Sequence, residues 1–250
     1  MITAEQIEKN WAEFRDRVNT LFPDRADKLN EMYDYFEDRI AMMPAAPIAH
    51  YHNAFPGGYI DHVLRVMDCS KLVYDTWETA EGDLSGFTME ELMFAAMHHD
   101  LGKVGFPVDN GEIYQENDSE WHIKNQGKIY KINPNNPFTM VPDLSLYLLH
   151  TFGVKMSWEE YLAIRIHDGI YADANKPYFI SRTEESKLRT AMPHILHQAD
   201  LMAATIEYQK YRNEKNNSVA PVTKPKKPGK TISASDVSVD DMFKDFFGEK

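Results

Sequence analysis

The chain has 250 residues, 43% of them hydrophobic and 12% aromatic, enough for a sizeable core in one large domain or two small ones. Its formal charge of −12 argues against broad, non-specific binding to a nucleic-acid backbone, because that affinity comes mainly from neutralising phosphates with Lys and Arg. No apolar run approaches the roughly 20 residues of a membrane span, the acidic, amphipathic start MITAEQIEKNWAEF is unlike a signal peptide, and the single cysteine, Cys69, cannot form an internal disulfide. These features predict a cytoplasmic protein without membrane association.

In chain order, Ile7, Trp11, Phe14, Val18 and Leu21 recur at helical spacing and predict a helix over 5–22; Leu29, Met32, Tyr33, Phe36 and Ile40 predict another over 29–43. The stretch MPAAPIAHYHNAFPGG interrupts the pattern with prolines and glycines, and helical spacing resumes over 59–79 and 88–100. Residues 104–142, rich in Asn, Gly and Pro, read as a long irregular loop, which in a compact domain is usually functional or mobile. Helices return over 143–152, 157–167 and 184–211, and little alternates at a strand's period of two. The predicted fold class is therefore all-α, with a folded domain over 1–212 onto which the helices of 1–43 pack. Residues 213–237 are rich in Lys, Pro and Ser and poor in large apolar side chains, predicting a flexible, disordered linker. It leads to an aromatic and acidic C-terminal peptide, 238–250.

A helix over 88–100 brings Leu92, Ala96, His99 and Asp100 near one face, so FAAMHHDLGKVG aims an imidazole and a carboxylate inward. That pair suits Zn, Mn, Fe or Mg. Gly102 reads as the end of the helix, and Lys103 follows where a phosphate on such an ion is within reach. On their own, His98, His99 and Asp100 also read as polar residues at a helix C-terminus, where a protonated His is favourable. Three further positions favour the metal: His62 on a helix behind a double glycine, His167 with Asp168 at a helix end, and Asp200 within LHQADLMAATIE. A carboxylate among Ala199, Leu201, Met202, Ala203 and Ala204 is costly to bury without a metal or a cation. His62, His99, Asp100 and Asp200 supply four ligands from three helices, as helical bundles build metal sites.

That order of residues, with HDLGK in its middle, resembles the HD-domain metal-dependent phosphohydrolases over about residues 40–210. The resemblance implies an HD-domain helical bundle around one or two divalent ions, drawn from Mn, Mg, Co, Zn and Fe. Within that superfamily, PAAPIAHYHNAFPGGYIDHVLRV is similar to the HD-domain 3′–5′ exoribonucleases. The chain has His52-Asn53 where those enzymes carry His-His, His167-Asp168-Gly169 where they carry His-His-Gly, and no N-terminal nucleic-acid-binding barrel. For a second ion the resemblance implies two more histidines. His167 fits one place, and His122, in the loop beside Lys124, Lys128 and Lys131, is preferred over His150 for the other. His98 is expected to pack or to support the site, and His194 and His197 to be surface or satisfied helix residues.

The chemistry so implied is attack of an ion-activated water on phosphorus, with Asp100, His167 and Lys103 as catalytic groups and Lys124, Lys128, Lys131 and Arg165 binding substrate phosphates. Tyr114, Trp121, Tyr130 and Tyr171 stand near these positions in sequence, either to stack on a base or to pack in the core. The expected function is hydrolysis of a phosphoester or phosphoanhydride of a nucleotide, a dNTP or a nucleoside monophosphate. The alternatives are a 3′–5′ exonuclease on single-stranded nucleic acid and a metal-bound binding module recruited to replication proteins. The spacing in DDMFKDFF, residues 240–247, resembles peptides that plug into DNA sliding clamps. A clamp or another replication protein is thus the expected partner, and packing of this peptide onto its own domain stays open.

Overall fold

A computed structural model describes residues 2–218; the greater part of the expected linker and the whole 238–250 peptide lie outside the described residues. Residues Met1–Lys215 belong to one compact unit. Helices α1 (Ala4–Leu21) and α2 (Ala26–Ile40) pack together, each burying the apolar face read from its sequence, with Phe14 and Val18 on one and Leu29, Met32, Tyr33 and Ile40 on the other wholly removed from water. Burying a side chain of that size contributes about 1.5–3 kcal/mol. Helix α3 (Gly58–Thr79) packs against α1 and against α4 (Met89–His98), so its first half is buried almost continuously from Gly58 to Met67. Helices α6 (Val141–Thr151) and α7 (Trp158–Ile166) pack on each other, and α7 also packs on α4. The short α8 (Lys176–Ile180) and the long α9 (Met192–Ser218) complete the fold.

The expected all-α fold class holds for the described residues, with corrections at three places. The loop at 104–142 contains a small hairpin, in which β1 (Tyr114–Glu116) pairs antiparallel with β2 (Tyr130–Ile132), around the short helix α5 (Glu120–Gln126). Strands of three residues are too short to show a period of two. The helix expected over 184–211 begins at Met192, because Pro193, which a helix interior rejects, fits within its first turn. Its other end runs to Ser218, past the boundary expected at residue 212. The helix expected over 88–100 stops at His98, and that stop shapes the site.

Candidate metal centre

Helix α4 begins on a reciprocal cap in which Thr88 and Glu91 each accept the other's backbone N–H, a device worth about 1 kcal/mol. Had α4 continued, His99 and Asp100 would point about 100° apart around its axis. Instead the backbone turns at Asp100 (φ −108°) into a single 3-10 turn, Leu101–Val104, and both side chains enter one pocket. Gly102 owes its place to close approach: a Cβ there would stand 2.2 Å from the Val141 carbonyl oxygen on α6. Its N–H donates to Ser145 Oγ at 2.7 Å, and Ser145 in turn lies 3.2 Å from the His99 carbonyl.

Helix α7 ends in the same way. His99 and His167 occupy the C-terminal caps of α4 and α7, and each ring donates from Nδ1 to the carbonyl three residues earlier, Ala96 at 2.8 Å and Ile164 at 2.9 Å. His62, on α3, directs Nδ1 to the Glu207 carboxylate of α9 at 3.1 Å. With Nδ1 committed in all three, Nε2 is the atom turned to the pocket, the arrangement that orients a metal-ligating imidazole.

The Nε2 atoms of His62 and His99 are buried and have no hydrogen-bond partner. Asp200 Oδ1 lies 3.3 Å from the first and 3.8 Å from the second, and Asp100 Oδ2 lies 3.7 Å and 3.4 Å from them, and none of these contacts is a hydrogen bond. His167 Nε2 stands 3.7 Å from the other Asp100 oxygen, Oδ1, and 3.6 Å from Asp168 Oδ1. Three overlapping groups result: His62-His99-Asp200, His99-Asp100-His167 and His52-His62-Asp100, each with donor atoms within 4.8 Å of one another. An unsatisfied buried polar atom costs about 1–3 kcal/mol, and this cluster carries three of them, Nε2 of His52, His62 and His99, among carboxylates. Nitrogen and oxygen donors in this mixture suit a divalent ion, and the residues present can hold one.

The charges agree. Burial opposes protonation of His62, but the Glu207 and Asp200 carboxylates outweigh it and push the ring up to about 10: the pocket draws positive charge. Burial likewise opposes ionisation of Asp100, yet Lys103, His99 and His167 hold its carboxyl well below the usual range. Asp200 is also held low against burial, chiefly by His62 and His99. Lys103, bonded to Asp100 Oδ2, is raised by that carboxylate in spite of its burial. Burial, reinforced by His62 and Lys103, drives His52 down to about 2. Glu207 also accepts from Arg65 Nε at 3.0 Å, Arg65 pairs with Asp61 at 3.2 Å, and Asn53 donates to Asp61 at 2.9 Å, so a polar chain braces His62 from behind.

Of the residues expected at the site, His62, His99, Asp100, Lys103, His167 and Asp200 come together, and five others do not. His122 faces a separate cavity of about 400 Å³, together with Lys128, Lys131 and Tyr130, and Lys131 pairs there with Asp118 at 3.0 Å. Lys124 is exposed on α5, and Arg165 pairs with Asp143 at 2.8 Å. His98 turns into the core, bonded to the Phe94 carbonyl and to the Tyr33 hydroxyl, each at 2.7 Å. His150 is exposed at the end of α6, His194 stacks on Trp77, and His197 donates to the His167 carbonyl at 2.9 Å. Glu207 and His52 join these residues, and the sequence singles out neither as a member of the site. The only signal for Glu207 is its place seven residues after Asp200, two turns along α9.

Comparison with protein-family models, curated proteins and solved structures gave no match to this chain. Among the described residues, no helix is long and apolar enough to cross a membrane.

Proposed function

We propose that the chain is a metal-dependent phosphohydrolase of the HD type, cleaving a phosphoester or phosphoanhydride of a nucleotide. The observation that carries this reading is the pair of buried Nε2 atoms, on His62 and His99, that face two carboxylates with no hydrogen-bond partner. His62, His99, Asp100 and Asp200 would hold the ion. A divalent ion supplies a Lewis acid and brings the pKa of water toward neutrality. Glu207 and the Ala96 carbonyl keep the two imidazoles turned to it. Lys103 keeps its proton beside Asp100, where a cation offsets the charge that builds on a phosphoryl group. His167 stands between the other Asp100 oxygen and Asp168, and the two residues would serve a second ion or the substrate itself.

The choice of a small nucleotide over a polymer rests on the HD resemblance and on the charge of −12, which disfavours a long polyanion. The test is purified protein with Mn, Mg, Co or Zn, offered dNTPs, nucleoside monophosphates and 3′-labelled oligonucleotides, with product analysis. Release of phosphate or pyrophosphate from nucleotides is the expected result. Shortening of oligonucleotides alone would move the reading to a 3′–5′ exonuclease. No turnover with any metal would leave a metal-bound binding module.

A further inference from the structure

The segment between α2 and α3 delivers a histidine to this pocket from outside the helical scaffold. His52 Nε2 is buried and has no hydrogen-bond partner, a ring nitrogen of His52 lies within 4.8 Å of donor atoms of His62 and Asp100, and the His52 and His62 ring centroids are 4.7 Å apart. The backbone that places it is heavily constrained. Asn53, the next residue, takes a left-handed conformation (φ 43°) that a non-glycine residue seldom adopts. It is held there by its side chain on Asp61 at 2.9 Å and by its carbonyl, which accepts from Ala45 N at 3.1 Å. That carbonyl lies so close to α3 that a Cβ on Gly58 would stand 2.0 Å from it. Local strain held by surrounding contacts is characteristic of functional positions, and here it presents one unpartnered nitrogen to the carboxylate cluster.

From this juxtaposition we infer that His52 is a further protein ligand of the ion held by His62, His99, Asp100 and Asp200. Within the His52-His62-Asp100 group the donors stand within 4.8 Å of one another, close to the about 4.4 Å that separates two donors on opposite sides of one ion. His52 joins that ion and does not found a separate site, because its group shares His62 Nε2 with the group of His99 and Asp200, and one imidazole nitrogen binds one ion. The inference rests on the metal reading above and is independent of which reaction the ion serves.

The test is titration of the chelator-treated, full-length protein with Co²⁺ alone, followed by calorimetry and by the visible spectrum of the bound ion, for wild type, His52→Ala and His52→Gln. Both variants should bind Co²⁺ at least about tenfold more weakly, with a changed spectrum. The ion-free melting temperature should stay at the wild-type value, since His52 Nε2 makes no hydrogen bond that either variant would lose. Wild-type affinity and an unchanged spectrum in both variants would overturn the inference and leave the metal reading intact. A wild type that binds no ion would overturn both.

Discussion

His62 lies between two carboxylates of one helix: on α9, Asp200 Oδ1 stands 3.3 Å from the unpartnered Nε2, and Glu207 Oε2, two turns further on, bonds Nδ1 at 3.1 Å. Glu207 thus sets the direction of the ring without facing the pocket. Replacing Glu207 with Ala should weaken ion binding by about 10–100-fold, the usual cost of losing a partner that orients a ligand. Glu207→Gln should recover part of the loss, because an amide oxygen still accepts from Nδ1. Titration with Mn²⁺ or Co²⁺ followed by calorimetry measures both.

His99→Ala should abolish hydrolysis and strip most of the bound metal while leaving the far-ultraviolet circular dichroism unchanged. The reason is that α3 and α4 are held by apolar neighbours such as Val63, Leu92 and Phe94, all fully buried. Full turnover in this variant would end the hydrolase reading.

Lys103→Ala should separate binding from turnover. Removing the ammonium frees Asp100 Oδ2, so the ion is retained, while loss of a charge contact at the phosphoryl group costs about 3 kcal/mol, a factor of about 10²–10³ in kcat. Turnover within twofold of wild type would show that the Lys103–Asp100 pair is structural only.

Tyr33→Phe addresses the histidine that the site does not use. It strands His98 Nε2 in the core and should cost about 1–3 kcal/mol, read as a lowered melting temperature, with kcat and metal content unchanged. Loss of metal in this variant would tie His98 to the pocket.

The aromatic C-terminal peptide gives a further prediction. Deleting residues 238–250 should leave hydrolysis of small nucleotides unchanged and abolish co-purification with a sliding clamp or another replication protein. A melting temperature lowered by several degrees would mean that Phe243, Phe246 and Phe247 cover the protein's own surface.

The sequence disclosed what depends on periodicity and on a cost that can be read residue by residue. Apolar spacing located α1 to α4, α6 and α7, and a carboxylate in the apolar run around Asp200 pointed to a residue that joins the His/Asp cluster. It did not disclose what depends on where the backbone departs from a regular helix. His99 and Asp100 converge because α4 ends one residue before them, and His52 arrives through a left-handed Asn53 that no spacing rule anticipates. Glu207 looked like any acidic residue on an amphipathic helix. His122 was favoured because lysines surround it, yet charge in a loop says nothing of which way the loop folds, and its cavity is a different one.

The exposures around the pocket are unequal, and they govern traffic. His62 and His99 are 0% exposed, His167 3% and Asp100 8%, whereas Asp200 is 24% and Asp168 42% exposed, so water reaches the donors past these two carboxylates. An ion held there would have to pass these carboxylates, so on the metal reading its release is slower than from an open surface site. Protein carried through ordinary dialysis should therefore keep the ion it acquired in the cell. Elemental analysis of material never exposed to chelator then reads the native metal directly, before any reconstitution imposes another.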